Sequence, residues 1–425
     1  MDWKPDSGDT AWLLVCTGLV MLMTPGLSLY YGGMVRRKNV LASLMQSWML
    51  MAVVSVAWAV LGYSLAFSPK NPFIGGLSWA FLPWKEFSGR TPLGYADSVP
   101  HLAFMSYHMM FPVLATAVIF GSVAERLRFK AMVAFGLLWS LLVYAPLAHM
   151  VWGYGGFLHG VFQNGKPYDQ TGVYPALDFA GGTVVHVSSG IAALVACLLV
   201  GKRVNYEREP MPPHSMVLST VGAALLWFGW FGSNGGKAMS SGMLAASAIT
   251  STQLAAAAAT LSWILVEWRH RGHPSVLGAI TGAVAGLVVI TPAAGYVEPF
   301  NAVWMGAIGG AVCYLSVAII KAKLRYDDSL DAFGVHGVGG VVGVILTGIF
   351  ANATINPAGA DGLFRNNPVQ LVNQTIAVLV TVSYSGIVSF VLLKLVDRFV
   401  GLRVNRDEEL EGLDLTQHRE VGYNM

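Results

Sequence analysis

Apolar runs of about 20 residues or more recur along the whole chain, and they constrain its fold more than any other feature. A run of that length crosses the roughly 30 Å hydrocarbon core as an α-helix. A helix keeps every backbone N–H and C=O paired where lipid offers no partner. Eleven spans can be drawn, at approximately 10–34, 40–67, 100–123, 130–149, 178–201, 215–236, 241–268, 275–296, 300–322, 334–354 and 370–398. Composition agrees: 55% of the 425 residues are hydrophobic and 12% charged, about half the charged share of a soluble domain. The expected fold is an all-α polytopic membrane protein, with residues 1–400 as one transmembrane domain and 401–425 as a short tail.

The placement of charge sets the orientation. Basic clusters follow the odd-numbered spans: Arg36-Arg37-Lys38, then Arg126, Arg128 and Lys130, then Lys202, Arg203 and Arg208, then Arg269 and Arg271, then Lys321, Lys323 and Arg325, and last Arg398, Arg403 and Arg406. The loops between hold few cations: Lys166 after the fourth span, none after the eighth, Arg365 after the tenth. The positive-inside rule puts the N-terminus outside and the C-terminus in the cytoplasm. The opening MDWKPDSGDT has no basic n-region, so the first run reads as a true span rather than a cleaved signal. Cys16, Cys197 and Cys313 lie in apolar runs and read as small buried hydrophobes, not as a disulfide framework or a metal site.

The chain divides into halves. Spans one to five start outside and spans six to ten start inside. The first ends YYGGMV and the sixth ends SNGGKAM; the fifth begins with Asp178 and holds His186, while the tenth follows Asp331 and holds His336. This is the pattern of an inverted 5+5 repeat with an eleventh, C-terminal helix added. In such folds the substrate path runs near the midplane, where the repeats meet. Intramembrane titratable groups are costly and usually functional. Two histidines in glycine-rich spans of opposite halves imply that something polar crosses between them.

These residues sit in motifs that resemble those of the ammonium transporter (Amt/Mep/Rh) family: ALDFAGGTVVH at 176–186, FGVHG at 333–337, AERLRF at 124–129, AHMVWG at 148–153, and GLRV…EGLD in the tail. The resemblance covers essentially the whole chain, in family order. It implies a homotrimer in the cytoplasmic membrane, one pore per subunit, with ammonium or ammonia as substrate. It also implies a PII-type signalling protein as a partner on the cytoplasmic face.

The resemblance gives each site residue a role beside a plainer physical reading. His186 and His336 match the twin histidines at mid-pore. A neutral imidazole has one donor and one acceptor, so two rings in contact can share a proton and offer polar edges to ammonia; the plainer reading is two unrelated histidines. Asp178 is either a helix cap that shapes the outer vestibule or a direct cation ligand, and the following glycines favour the cap. Trp152 is a wall of the outer recruitment site through its cation–π face, or an interfacial belt tryptophan. Phe111 matches the ring that closes the pore below that site, and Trp230 a pore-lining tryptophan. Tyr107 stands where many members carry phenylalanine, so its hydroxyl is expected to add polarity at the vestibule rim.

Two positions depart from the family pattern. The sixth span commonly reads close to GWFGFNAGS; here it reads GWFGSNGGK at 229–237. Ser233 replaces a second gate phenylalanine, which widens the constriction. Lys237 replaces a serine that would accept a hydrogen bond from ammonium. A lysine ammonium has three donors and no acceptor, so it either mimics the substrate in its own site or snorkels to water. Two functions follow. One is a conducting transporter or channel for ammonium. The other is a sensor or shifted-specificity carrier whose recruitment site Lys237 occupies or gates. No nucleophile–base set, metal cluster or phosphate loop supports an enzyme. Neither a cofactor nor nucleic acid is expected.

Overall fold

The computed structural model describes residues 3–160 and 172–423; the sparse-loop cation Lys166 lies outside them. Ten helices among the described residues are long and apolar enough to cross a membrane. They are α1 (Ser7–Met34), α2 (Arg37–Phe67), α3 (His101–Val123), α4 (Phe129–Trp152), α5 (Gly182–Val200), α6 (Met216–Gly236), α7 (Met243–Arg271), α9 (Pro299–Leu324), α10 (Phe333–Phe350) and α11 (Pro368–Phe399). Between α7 and α9 lies the shorter apolar helix α8 (Val276–Ile290). The run expected over 275–296 stops there because Pro292 cannot continue a helix. Its end turns back instead: Phe179 donates to the Pro292 carbonyl at 3.0 Å and Ala180 to that of Thr291 at 3.1 Å. Strand structure among the described residues is limited to isolated bridges.

Helices α1 and α6 pack along each other, and α7 packs against α8 and α9. Small residues make these approaches possible: a Cβ on Gly222 would lie 2.2 Å from the Tyr30 backbone nitrogen. Close backbone approach replaces the hydrophobic drive that helix pairs lack in lipid. Apolar side chains such as Leu14, Trp48, Val56, Leu261, Leu265 and Ile387 point outward, as a lipid-facing surface requires. The three cysteines are free and buried.

On the face that carries the basic loops, charges are buried but paired. Glu125 meets Arg36 at 2.9 Å and Arg203 at 3.1 Å; Arg203 meets Asp327 at 2.8 Å. Burial alone raises the Glu125 carboxyl, but the two arginines outweigh it and hold it down at about 2. The acidic tail docks here. Helix α12 (Arg406–Glu411) opens with a capping box of Asn405 and Glu408. Glu409 accepts from the Val204 amide at 2.6 Å and pairs with Arg403 at 2.8 Å, and Asp414 accepts from the Ala42 amide at 2.8 Å.

Candidate functional site

The two histidines predicted to meet do meet. His186 Nδ1 and His336 Nδ1 lie 3.2 Å apart, with ring centroids 5.3 Å apart and both side chains buried. One Nδ1 must donate and the other accept, so the two rings carry opposite tautomers. Each sits in a wide π-helical turn that opens its span: Gly182–Val187 in α5 and Phe333–Gly337 in α10. Such turns recur at functional sites. The helices cross on glycine, since a Cβ on Gly190 would lie 2.2 Å from the Gly337 backbone nitrogen. Trp230 completes one wall. Its ring stacks on His186 at 5.4 Å, and its Nε1–H donates to Thr291 Oγ1 at 2.8 Å.

Asp178 caps α5 with both carboxylate oxygens. Oδ1 accepts from the amides of Gly181 at 2.8 Å and Gly182 at 2.6 Å; Oδ2 accepts from the Thr183 amide at 2.8 Å and from the Thr183 hydroxyl. The chain passes through φ +113° at Gly181 to bring those amides round, a conformation that suits glycine. At the start of α10 the capping acid is Asp328, not Asp331. Asp328 accepts from the amides of Ala332 at 3.1 Å and Phe333 at 2.8 Å, and it stands eight residues before His336, as Asp178 stands before His186. Asp331 instead pairs with Lys321. Choosing the acid nearest the span misled the sequence reading; the register to the histidine is the better guide.

The part of the site beside Asp178 is aromatic. Trp152 Nε1–H donates to the Asp178 carbonyl at 2.8 Å, so the residue that caps α5 also orients this ring. Phe111 packs edge-on to Trp152, centroids 6.0 Å apart. Tyr107 is not a polar rim group: it is fully buried, and its hydroxyl donates to the carbonyls of Gly232 at 3.1 Å and Ser233 at 2.5 Å. A phenolic hydroxyl buried among rings needs acceptors, and the end of α6 supplies them. Ser233 is buried on that same turn.

Lys237 turns inward rather than snorkelling. Its Nζ stands 3.5 Å from the Trp152 centroid and 5.8 Å from that of Phe111, inside cation–π range. Its hydrogen-bond partner is His108 Nε2 at 2.9 Å. Burial pulls the ammonium down to about 7, while the Asp178 carboxylate opposes the shift. His108 went unnoticed in the sequence, though the signal was there: it is another histidine within an apolar span, three residues before Phe111 and thus on its helix face.

The fold and this buried ladder of imidazoles, indoles and an amine define a polytopic helical membrane protein with a polar site in its interior. Its relatives carry the identification further. The Ammonium Transporter Family profile matches residues 11–423. The ammonium transporter of Bacillus subtilis (strain 168) is 49% identical over 416 residues, covering 98% of each chain. The crystal structure of Saccharomyces cerevisiae Mep2 superposes with a TM-score of 0.83 at 34% identity, covering 95% of this chain and 91% of that one. A structure described as a sensor Amt protein superposes with a TM-score of 0.85 at 28% identity, covering 97% and 98%. The chain belongs to the Ammonium Transporter Family.

Proposed function

We propose that the protein moves ammonium across the cytoplasmic membrane, and that the single observation carrying this reading is the 3.2 Å contact of His186 with His336. The cation is recruited at the outer end against Trp152, loses its proton, and passes Phe111 as ammonia. The paired imidazoles then hydrogen-bond the ammonia and relay the proton. Trp230 holds His186 in place, Asp178 fixes both the start of α5 and the Trp152 ring, and Ser233 leaves the constriction with one ring in place of two. The chain crosses the bilayer eleven times, with α8 as the short eighth span, N-terminus outside and C-terminus inside. The two halves form the inverted repeat; the matched spacing of Asp178–His186 and Asp328–His336 supports that symmetry. Residues 1–400 form the transport domain and 401–425 the cytoplasmic tail. The active form is a homotrimer with a pore in each subunit, and the docked tail offers a surface to a PII-type regulator.

A second reading is favoured by one contact, that of Lys237 Nζ with Trp152 at 3.5 Å. The recruitment site already holds a tethered ammonium, so the protein gates, senses or re-targets rather than conducting freely. An ammonium-induced current across membranes reconstituted with the protein tests the two. A current specific to ammonium over potassium is expected from the transporter. Tight ammonium binding without current would overturn it in favour of the sensor.

A further inference from the structure

Lys237 does not lie on Trp152 by itself; it is held there. His108 Nδ1 is 2.9 Å from the Phe104 carbonyl, one helical turn back. That carbonyl can only accept, so Nδ1 carries the proton and Nε2 presents its lone pair. The lone pair faces Lys237 Nζ at 2.9 Å, and a lysine ammonium is a pure donor. The imidazole is wedged among rings, with centroids 4.1 Å from Phe104, 4.8 Å from Phe67 and 5.4 Å from Tyr107. The rigid His108 acceptor holds the tethered ammonium on the Trp152 face, and that indole face is what a free ammonium ion would compete for. Lys237 itself is on a flexible stem just past the end of α6, so it can leave.

We propose that His108 is the positioning residue of a latch: it holds the Lys237 ammonium on the Trp152 ring as a protonation-dependent internal competitor that external ammonium must displace. This rests on the reading that the outer site recruits ammonium. The groups facing Lys237 come from several elements. His108 and Tyr107 lie on α3, and Cys16 on α1 packs against Gly236 next to Lys237. Asp178 lies before α5, and His159 follows α4. Burial, with lesser contributions that include Lys237 itself, pulls His159 down to about 4, so it is neutral near pH 7. The Tyr107 hydroxyl is engaged with α6 carbonyls. Lys237, pulled by burial to about 7, is charged on the acid side of neutrality and sits firmly on the ring. On the alkaline side the neutral amine loses its cation–π hold.

The test is ammonium flux into proteoliposomes as a function of concentration at pH 6, 7 and 8, with a parallel NMR titration of protein carrying 15N-labelled lysine side chains. In the wild type the apparent KM for ammonium should fall as pH rises through 7, and added ammonium should shift the Lys237 Nζ signal away from its ring-shielded position. Lys237→Ser should lower apparent KM at pH 6 by about thirtyfold, the weight of one desolvated cation–π contact, and flatten its pH dependence. His108→Phe should lower KM in the wild-type background but change it by less than about twofold in Lys237→Ser, because the pair acts as one unit. His108→Gln, whose amide oxygen also accepts, should restore the latch. Additive effects of His108→Phe and Lys237→Ser, or a Lys237 Nζ signal that ignores ammonium, would overturn the latch even with normal flux. A displaced Lys237 signal without flux in any variant would leave the latch standing and remove the transport reading.

Discussion

The molecule contains two nitrogen pairs that look alike on paper and are built for different tasks. In one, His186 and His336 are 3.2 Å apart; in the other, His108 and Lys237 are 2.9 Å apart. The inner pair joins two short, stiff side chains on helices that touch through Gly190 and Gly337. Neither ring can retreat, and each offers a donor and an acceptor. The outer pair joins one ring locked by its own helix to an amine on a four-carbon stem. Its members cannot exchange roles, because the ammonium only donates. Rigidity and symmetry suit a relay; a fixed acceptor with a movable donor suits a gate.

The largest effect should come from breaking the inner pair. His186→Ala or His336→Ala should cut ammonium-specific flux by about 10²-fold, the lower range for a positioned proton-transfer group, with thermal stability close to wild type. Wild-type flux and selectivity in either variant would reduce the pair to packing. A glutamate at either position should retain some conduction with relaxed selectivity, since a carboxylate also relays protons.

Asp178 supports both pairs, through its carboxylate at the start of α5 and its carbonyl under Trp152. Asp178→Ala should destabilise the protein by about 2 kcal/mol, the upper end for a lost cap, seen as a lower thermal midpoint together with lost flux. An asparagine caps an ordinary helix end about as well as an aspartate. Here the structure argues otherwise. Both carboxylate oxygens accept, so Asp178→Asn would set an NH2 group against the Thr183 donors. Its midpoint should fall between those of wild type and Asp178→Ala. A midpoint equal to wild type would show that one oxygen suffices.

Smaller changes separate the two regions. Trp230→Phe removes the donor to Thr291 but keeps a ring against His186. It should cost about 1 kcal/mol and lower flux without altering the pH dependence of apparent KM that the Lys237 latch imposes. Tyr107→Phe should be milder still in flux. It frees two α6 carbonyls, costing about 1 kcal/mol, and a large loss of transport from it would mean the hydroxyl does more than tie α3 to α6.

What depends on pattern along the chain was legible in the string: helices crossing a membrane, glycine-rich spans with a histidine apiece, Asp178 at the head of one of them, and an unusual lysine after SNGG. Apolar length and motif spacing are one-dimensional, and so they survive in the string. It was silent on what depends on direction. Whether Lys237 reached water or the Trp152 face was undecided, because a long stem permits either and neighbouring helices choose. The Tyr107 hydroxyl was misjudged because its acceptors, the carbonyls of Gly232 and Ser233, are remote in sequence. His108 acquired a partner only when α6 was laid against α3, 129 residues away. Tertiary structure decided these points because a hydrogen bond or a cation–π contact requires two groups at one place, and only packing brings distant groups together.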